Sequence, residues 1–308
     1  MAGNKSLTNA KEKRDDEFYT QITDIEKELK HYKKHFKNAV VFCNCDDPDW
    51  SNFWKYFHLN FEYLGLKKLI TTHYDANEPT YKMEYEGGND SDISVGKITP
   101  LKQNGDFRSP ECIEMLKEAT IVCTNPPFSL FREYVATLMQ YNKKFVIVGN
   151  QNAISYKELF PLIKNNEMWL GVHSGDMAFT VPDDSEPRKT RFWIDENGQK
   201  WRSLGNACWY TNLDIQKRHE PIDLVAKYDP EKYPKYDDFD AINVSKTLDI
   251  PCDYDGVMGV PITMLQYYCP DQFDIIWLDG DDENVWAGHG PALNGKNLYR
   301  RIFIRRKG

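Results

Sequence analysis

Asn125-Pro126-Pro127-Phe128 combines an amide side chain, two prolines and an aromatic ring where a strand is expected to end. The apolar run Ile121-Val122-Cys123 before it reads as a short buried parallel strand. Behind it, Leu130, Tyr134, Val135 and Leu138 recur at helical spacing, so the order is strand, four-residue loop, helix. Such a loop lies at the carboxyl edge of an α/β sheet, where open sheets bind ligands. Proline lacks an N–H and fixes φ, and Pro127 keeps Pro126 out of the helical region. The loop is therefore stiff, with carbonyls that lack local partners. It suits gripping an exocyclic amino group on a planar base. The two N–H donors of that group need two acceptors, which Asn125 Oδ1 and the Pro126 carbonyl could supply, and Phe128 could stack on the ring. A plain proline-rich turn has the same composition, so the surrounding elements decide.

Those elements alternate. Ile22, Ile25, Leu29, Tyr32 and Phe36 predict an amphipathic helix over 15–37, with Glu17-Phe18-Tyr19-Thr20 at its start. Ala39-Val-Val-Phe42 reads as a strand and Cys43-Asn-Cys-Asp-Asp-Pro48 as the loop after it. A helix capped by Asp49 or Ser51 follows, carrying Phe53, Trp54, Phe57 and Phe61. Leu66–Thr72 is the second strand, ending at His73-Tyr74-Asp75. The loop 43–48 sits where a cofactor-binding fold carries a glycine fingerprint, yet it holds no glycine. Residues 77–97 predict a surface β-hairpin, and Ser109 or Pro110 to Lys117 a helix. Lys144–Gly149 is a further buried strand, so residues 39–149 predict a parallel sheet with right-handed crossovers. A short helix over Ser155–Lys164 comes next.

Beyond Met168 the pattern changes to short strands, over 168–172, 178–181, 189–194 and 206–211, expected to complete or flank the sheet. Arg188, Lys189, Arg191, Lys200 and Arg202 cluster there with Trp193 and Trp201, a composition suited to phosphate contacts beside a stacking platform, or to a solvated hairpin face. Residues 216–255 are rich in turn residues and read as irregular. Lys296–Arg306, including Arg300 and Arg301, reads as a basic strand or arm able to touch phosphates. Asp279-Gly-Asp-Asp-Glu283 lacks the glycine that a calcium-binding EF-hand loop needs at its sixth position, where Asn284 stands.

A length of 308 residues allows one large or two small domains. A formal net charge of −8 excludes a general polycation, so any contact with nucleic acid must use local basic patches. Seven cysteines form no even framework, and Cys43 and Cys45 have no second pair to complete a zinc site, so no metal is expected. No apolar run reaches membrane-spanning length, and the expected compartment is the cytoplasm.

Asn-Pro-Pro-Phe after a strand resembles the catalytic motif of S-adenosylmethionine-dependent amino methyltransferases, chiefly the DNA adenine-N6 enzymes. Cys43–Pro48 followed by Trp50-Ser-Asn-Phe-Trp-Lys-Tyr-Phe57 resembles the EcoRI-type DNA adenine methyltransferases, whose first loop is also glycine-poor. So do Asp238–Asn243, Asp255–Thr263, Gln272–Ile276 and Lys296–Arg306, and the resemblance spans residues 15–306. It implies an α/β, Rossmann-like methyltransferase sheet with added β-hairpins over 15–215, and an irregular C-terminal DNA-recognition region over 216–308. It implies methylation of adenine N6 in duplex DNA by base flipping, with Asn125, Pro126, Pro127 and Phe128 catalytic.

For the cofactor, S-adenosyl-L-methionine, the resemblance implies contacts from Phe18, Tyr19, Thr20, Asn44, Cys45, Asp46, Asp47, Asp75, Asp106, Phe107 and Asn125. Asp46 or Asp47 would hold the methionine ammonium and the following helix N-terminus its carboxylate, although an Asx-rich helix start reads the same way. Asp106 would accept from the cofactor adenine, with Phe107 against the ring. DNA would meet Arg188, Lys189, Arg191, Arg300 and Arg301, with Trp209 and Tyr210 against the flipped base. A monomer is expected, and the resemblance leaves open a cognate restriction endonuclease acting on the same site. Cytosine N4, an RNA adenine or a protein glutamine amide would suit the same chemistry, and a catalytically silent DNA-binding module remains the rival of another class.

Overall fold

Val40–Cys43 (β2) is buried on every residue because apolar side chains on both faces of a strand leave it only the centre of a sheet. It pairs in parallel with Lys68–His73 (β3) on one side and with Ile121–Thr124 (β6) on the other. Lys144–Asn150 (β7) pairs in parallel with β6, so the order β7-β6-β2-β3 forms the centre. This computed structural model describes residues 19–74, 79–183, 185–237, 239–279, 292–298 and 300–307.

Antiparallel strands extend both edges. Tyr81–Tyr85 (β4) and Lys97–Pro100 (β5) add to β3. The hairpin expected on the surface is thus the edge of the main sheet, and Ile93 and Val95 lie in its loop. Their carbonyls accept from Trp54 Nε1 and pair with His58 Nε2, each at 2.9 Å, which ties the loop to helix Asn52–Leu59. On the other side Lys200–Thr211 (β10) pairs with β7, followed by Trp169–Thr180 (β8) and Tyr19–Thr20 (β1). Phe192–Ile194 (β9) pairs with the far end of β10. Two strands expected in 168–181 are one twelve-residue strand, while Lys189–Arg191 are not strand.

The first helix starts at Ile22, not upstream, because Tyr19 and Thr20 are taken by β8. Ile25, Leu29, Tyr32 and Phe36 all point into the core, as their spacing predicts, although a 3-10 turn interrupts the helix at Lys30–Tyr32. Glu28, fully buried on the same helix, accepts from the Val172 and His173 amides at 2.8 and 2.9 Å and from the Tyr32 hydroxyl at 2.7 Å. Helix Asn52–Leu59 links β2 to β3, and helix Phe131–Gln140 links β6 to β7. Those connections run outward in opposite directions from the β2/β6 pair. Right-handed crossovers therefore place the two helices on opposite faces.

Two compact units divide the chain: the residues to Ala153 with Gly171–Leu213, and Ile154–Leu170 with the residues from Asp214. The second unit has its own four-stranded sheet of Ala241–Asn243 (β11), Val257–Pro261 (β12), Phe273–Leu278 (β13) and Arg301–Arg306 (β16), in the order β11-β12-β16-β13. Ala292–Leu293 (β14) and Lys296–Asn297 (β15) form a separate small hairpin. Tyr236, Ala241, Val257, Trp277 and Phe303 pack together as a core. Residues 216–255, read as irregular, hold only β11 and two 3-10 turns among the described residues; the other strands of this sheet lie beyond them.

Candidate active site

β2 leads to β3 on one side while β6 leads to β7 on the other, so the loops after β2 and β6 emerge side by side and diverge. This is the topological switch point of an open sheet, where its ligand crevice opens. It puts residues 44–51 beside 125–128.

The glycine-free loop after β2 is held by hydroxyls. Thr71 Oγ1 donates to the Cys43 carbonyl at 3.1 Å and also to that of Asp46. Thr72 Oγ1 donates to the Asn44 carbonyl at 3.3 Å. Both threonines lie on β3, where their β-branching also suits the strand. Ser51 caps helix Asn52–Leu59, accepting from the Phe53 and Trp54 amides. Asn44 accepts from the Tyr134 hydroxyl, which comes from the helix behind the Asn-Pro-Pro-Phe loop.

Asp46 joins the two loops. One carboxylate oxygen accepts from Ser51 Oγ at 2.8 Å and the other from Thr124 Oγ1, the residue just before Asn125. Thr124 Oγ1 in turn accepts from the Cys45 amide at 3.2 Å. The Asn125 backbone N–H also bonds the Asp46 carboxyl. Burial pushes the Asp46 carboxyl up to about 7, and the Thr124, Ser51 and Asn125 donors only partly offset that. Asp46 thus turns inward, and both its oxygens are engaged by the protein. At the N-terminus of the following helix, Ser51 takes the Phe53 and Trp54 amides. Asp47 accepts from the Asp49 amide at 3.0 Å and pairs with His73. Burial raises its carboxyl too, against the pull of those donors.

Pro126 is buried, whereas Asn125, Pro127 and Phe128 are half-buried, with Asn125 Oδ1 itself buried. The Pro127 carbonyl, expected without a local partner, accepts from the Leu130 amide at 3.0 Å and starts a 3-10 turn at Phe128. On the crevice's other side, Gly105 takes φ +74°. A Cβ there would stand 2.6 Å from the His73 carbonyl, so only glycine lets this segment lie against the end of β3. Phe107 is buried edge-on to Tyr134, with ring centroids 5.0 Å apart. Asp106, expected to accept from an adenine amino group, already holds Arg108 through both carboxylate oxygens, at 2.7 and 2.5 Å.

Thr20 lies beside helix Asn52–Leu59, since Asn52 Nδ2 donates to its carbonyl at 2.8 Å. Its own hydroxyl is buried without a hydrogen-bond partner among the described residues. Tyr19 faces Trp50 of the β2 loop with centroids 6.4 Å apart. Phe18 and Asp75, the other expected cofactor contacts, lie outside the described residues, as do residues 280–283 of the calcium-like loop. Cys45 is half-buried beside this crevice, its thiol pushed well above the usual range by burial.

The structure thus gathers Thr20, residues 44–47, Phe107 and residues 125–128 within the first unit. Thr71, Thr72, Thr124 and His73 escaped the sequence reading because each is an ordinary strand residue by type. Trp209 and Tyr210 need correction as DNA contacts. Both are fully buried, Trp209 edge-on to Phe53 at 5.9 Å and Tyr210 against Phe131 at 5.1 Å. Gly149 leaves the room for Phe131 and Tyr210 to meet over β7. Tyr210 thus supports helix Phe131–Gln140 and Trp209 helix Asn52–Leu59, and neither offers DNA a surface. Arg301 also turns inward, to a hydrogen bond with Tyr236, while Arg300 is exposed. Arg188, Lys189 and Arg191 are exposed on the loop before β9.

Among the described residues no group of three or more His, Cys, Asp or Glu could hold a metal ion, and no helix is long and apolar enough to cross a membrane.

The family model described as adenine-specific methyltransferase EcoRI matches residues 6–307. The chain is 49% identical to the type II methyltransferase M.EcoRI of Escherichia coli, over 99% of this chain and 98% of that protein. It is 37% identical to the type II methyltransferase M.MgeORF184P of Mycoplasma genitalium and 36% identical to M.MpnI of Mycoplasma pneumoniae, each over 98% of both chains. No solved structure matches the chain.

Proposed function

Because this chain belongs to the EcoRI family of adenine-specific methyltransferases, we propose that it transfers a methyl group from S-adenosylmethionine to N6 of an adenine in duplex DNA. The observation that carries the residue assignment is the bond network from Asp46 to Thr124 and the Asn125 amide. It fixes the loop that would grip the base against the loop that would hold the methyl donor. Two loops meeting at a switch point, one rigid and presenting an amide, suit a reaction governed by positioning.

The unpartnered Thr20 hydroxyl, the apolar face of Phe107 and the rim of Asp47 fit a bound S-adenosylmethionine. Thr20 would donate or accept at a site closed to water, and Phe107 would pack on a ring. When bound, the cofactor supplies an electrophilic methyl group on a sulfonium. The chain's task is then to prepare the nucleophile. The N6 lone pair of adenine is delocalised into the ring, and Asn125 Oδ1 with the Pro126 carbonyl would accept its two hydrogens and favour a pyramidal nitrogen. Phe128 would stack on the base, which must leave the duplex at a cost of a few kcal/mol. The exposed Arg300 and the second unit would contribute to DNA recognition.

The test is incubation of duplex DNA with the protein and methyl-labelled S-adenosylmethionine, followed by mass spectrometry of the nucleosides. N6-methyladenine is the expected product. N4-methylcytosine would overturn the acceptor, and absence of label from DNA, with label entering RNA or protein, would overturn the substrate.

A further inference from the structure

Away from the crevice, strands β9 and β10 pair Trp201 with Trp193 and Arg202 with Phe192. The two indoles stack, 5.9 Å apart and 6° from parallel. Neighbouring residues on a strand point to opposite faces, so the tryptophan pair stiffens this hairpin from the side opposite Arg202. Beside this hairpin a cavity of about 420 Å³ is lined by Arg188, Thr190, Arg191 and the residues from Arg202 to Asn206. No lining residue is acidic, in a chain of net charge −8.

We propose that this cavity binds a backbone phosphate, with its sugar, of the DNA substrate. The Arg191 guanidinium lies flat on Gly205, where a Cβ would stand 2.6 Å from Nη1, so any larger residue would displace it. Nη1 donates to Ser203 Oγ at 3.2 Å and to Asp176 at 2.8 Å. Those bonds fix the plane of the guanidinium and leave its Nε–Nη2 edge to form the two-pronged bond that phosphate oxygens accept. Three arginines match a phosphodiester, whose charge and oxygens are the same at every base step. The site therefore adds affinity without sequence preference. The cavity is also larger than a bare anion needs.

This inference rests on DNA being the substrate. Its test is the fluorescence anisotropy of labelled duplexes, with and without a methylated site, titrated with the full-length protein between 0.05 and 0.2 M NaCl. Arg202→Gln should lower the slope of log affinity against log salt by about 0.9, the share of one phosphate, equally on both duplexes. Arg202→Lys, which keeps the charge, should restore it. An unchanged slope in Arg202→Gln, a loss confined to one sequence, or a loss shared by Arg202→Lys would overturn the proposal. Formation of N6-methyladenine by the wild-type protein is scored separately, so the cavity can fail while the function stands.

Discussion

Asp46 is the residue whose replacement is most informative, because its stability and its activity should respond to pH in opposite directions. Its carboxyl is raised from an ordinary 3.8 to about 7 by burial. Between those values the native protein keeps a proton that the unfolded chain has lost, so stability falls as pH rises from about 4 to about 7 and is level above. With about 1.4 kcal/mol per pKa unit, the ionised group costs on the order of 4 kcal/mol at pH 8. Asp46→Asn removes that charge but turns one acceptor oxygen into a donor. The Thr124 hydroxyl can rotate to accept, whereas the Asn125 N–H cannot, nor can Ser51, whose oxygen already accepts from two amides. A lost bond to a charged group is worth about 1.5–3 kcal/mol, so the variant should be about 1–2 kcal/mol more stable than wild type at pH 8. If that bond also aligns Asn125 in the transition state, turnover falls about 10- to 100-fold. Urea unfolding from pH 4 to 8, beside single-turnover methylation of a duplex from pH 6 to 8, separates the two effects. Wild-type turnover should climb through about pH 7 while stability declines, and both curves should flatten in the variant. An Asp46→Asn protein with wild-type turnover, or with the same inflection near pH 7, would refute the reasoning.

Asn125→Ala should keep its fold and its binding of S-adenosylmethionine by calorimetry while losing at least about 100-fold in turnover, the scale on which a positioned polar group matters; near wild-type activity would remove Asn125 from the mechanism. Thr20→Val deletes a hydroxyl that has no partner among the described residues, so melting should be unchanged or raised while calorimetry shows S-adenosylmethionine bound about fivefold more weakly. Unaltered affinity would place that hydroxyl outside the cofactor site. Trp209→Ala empties a fully buried site and should lower unfolding stability by about 3–5 kcal/mol with no change in the salt dependence of DNA binding. A stable variant with weakened DNA binding would return Trp209 to the interface.

The parts of this molecule that were legible in the sequence are those where one physical requirement acts alone. Val40–Cys43, Ile121–Thr124 and Lys144–Asn150 must be apolar throughout to sit at the centre of a sheet, and no other reading suits such short runs. Ser51 and Ser109 cap helices where their type and place predict. Residues that meet two requirements stayed hidden. Thr71, Thr72 and Thr124 satisfy the strand by their β-branching, and nothing in their type announces that their hydroxyls hold a loop. Asp46 stands where the resemblance implies a cofactor ligand. Its inward turn depends on Thr124, which is 78 residues away in sequence. Trp209 and Tyr210 looked functional because aromatic type is compatible with stacking, and only the packing around Gly149 and Phe53 shows that the rings are consumed inside.

The glycine-free loop makes physical sense in these terms. Glycine-rich loops bring backbone close to a ligand through φ angles that other residues avoid, and the loop itself then carries little stiffness. Cys43–Pro48 reaches its shape with ordinary side chains, because hydroxyls from three other segments bond its carbonyls and its aspartate. Stiffness is imported from the sheet and the helix cap. The consequence is coupling: a loop fixed by Thr124 cannot shift without moving Asn125, so the two sides of the crevice keep their spacing as one unit. A buried carboxylate is a costly way to achieve this. Placed beside the Asn-Pro-Pro-Phe loop, it is what a site requiring sub-ångström positioning would favour over stability.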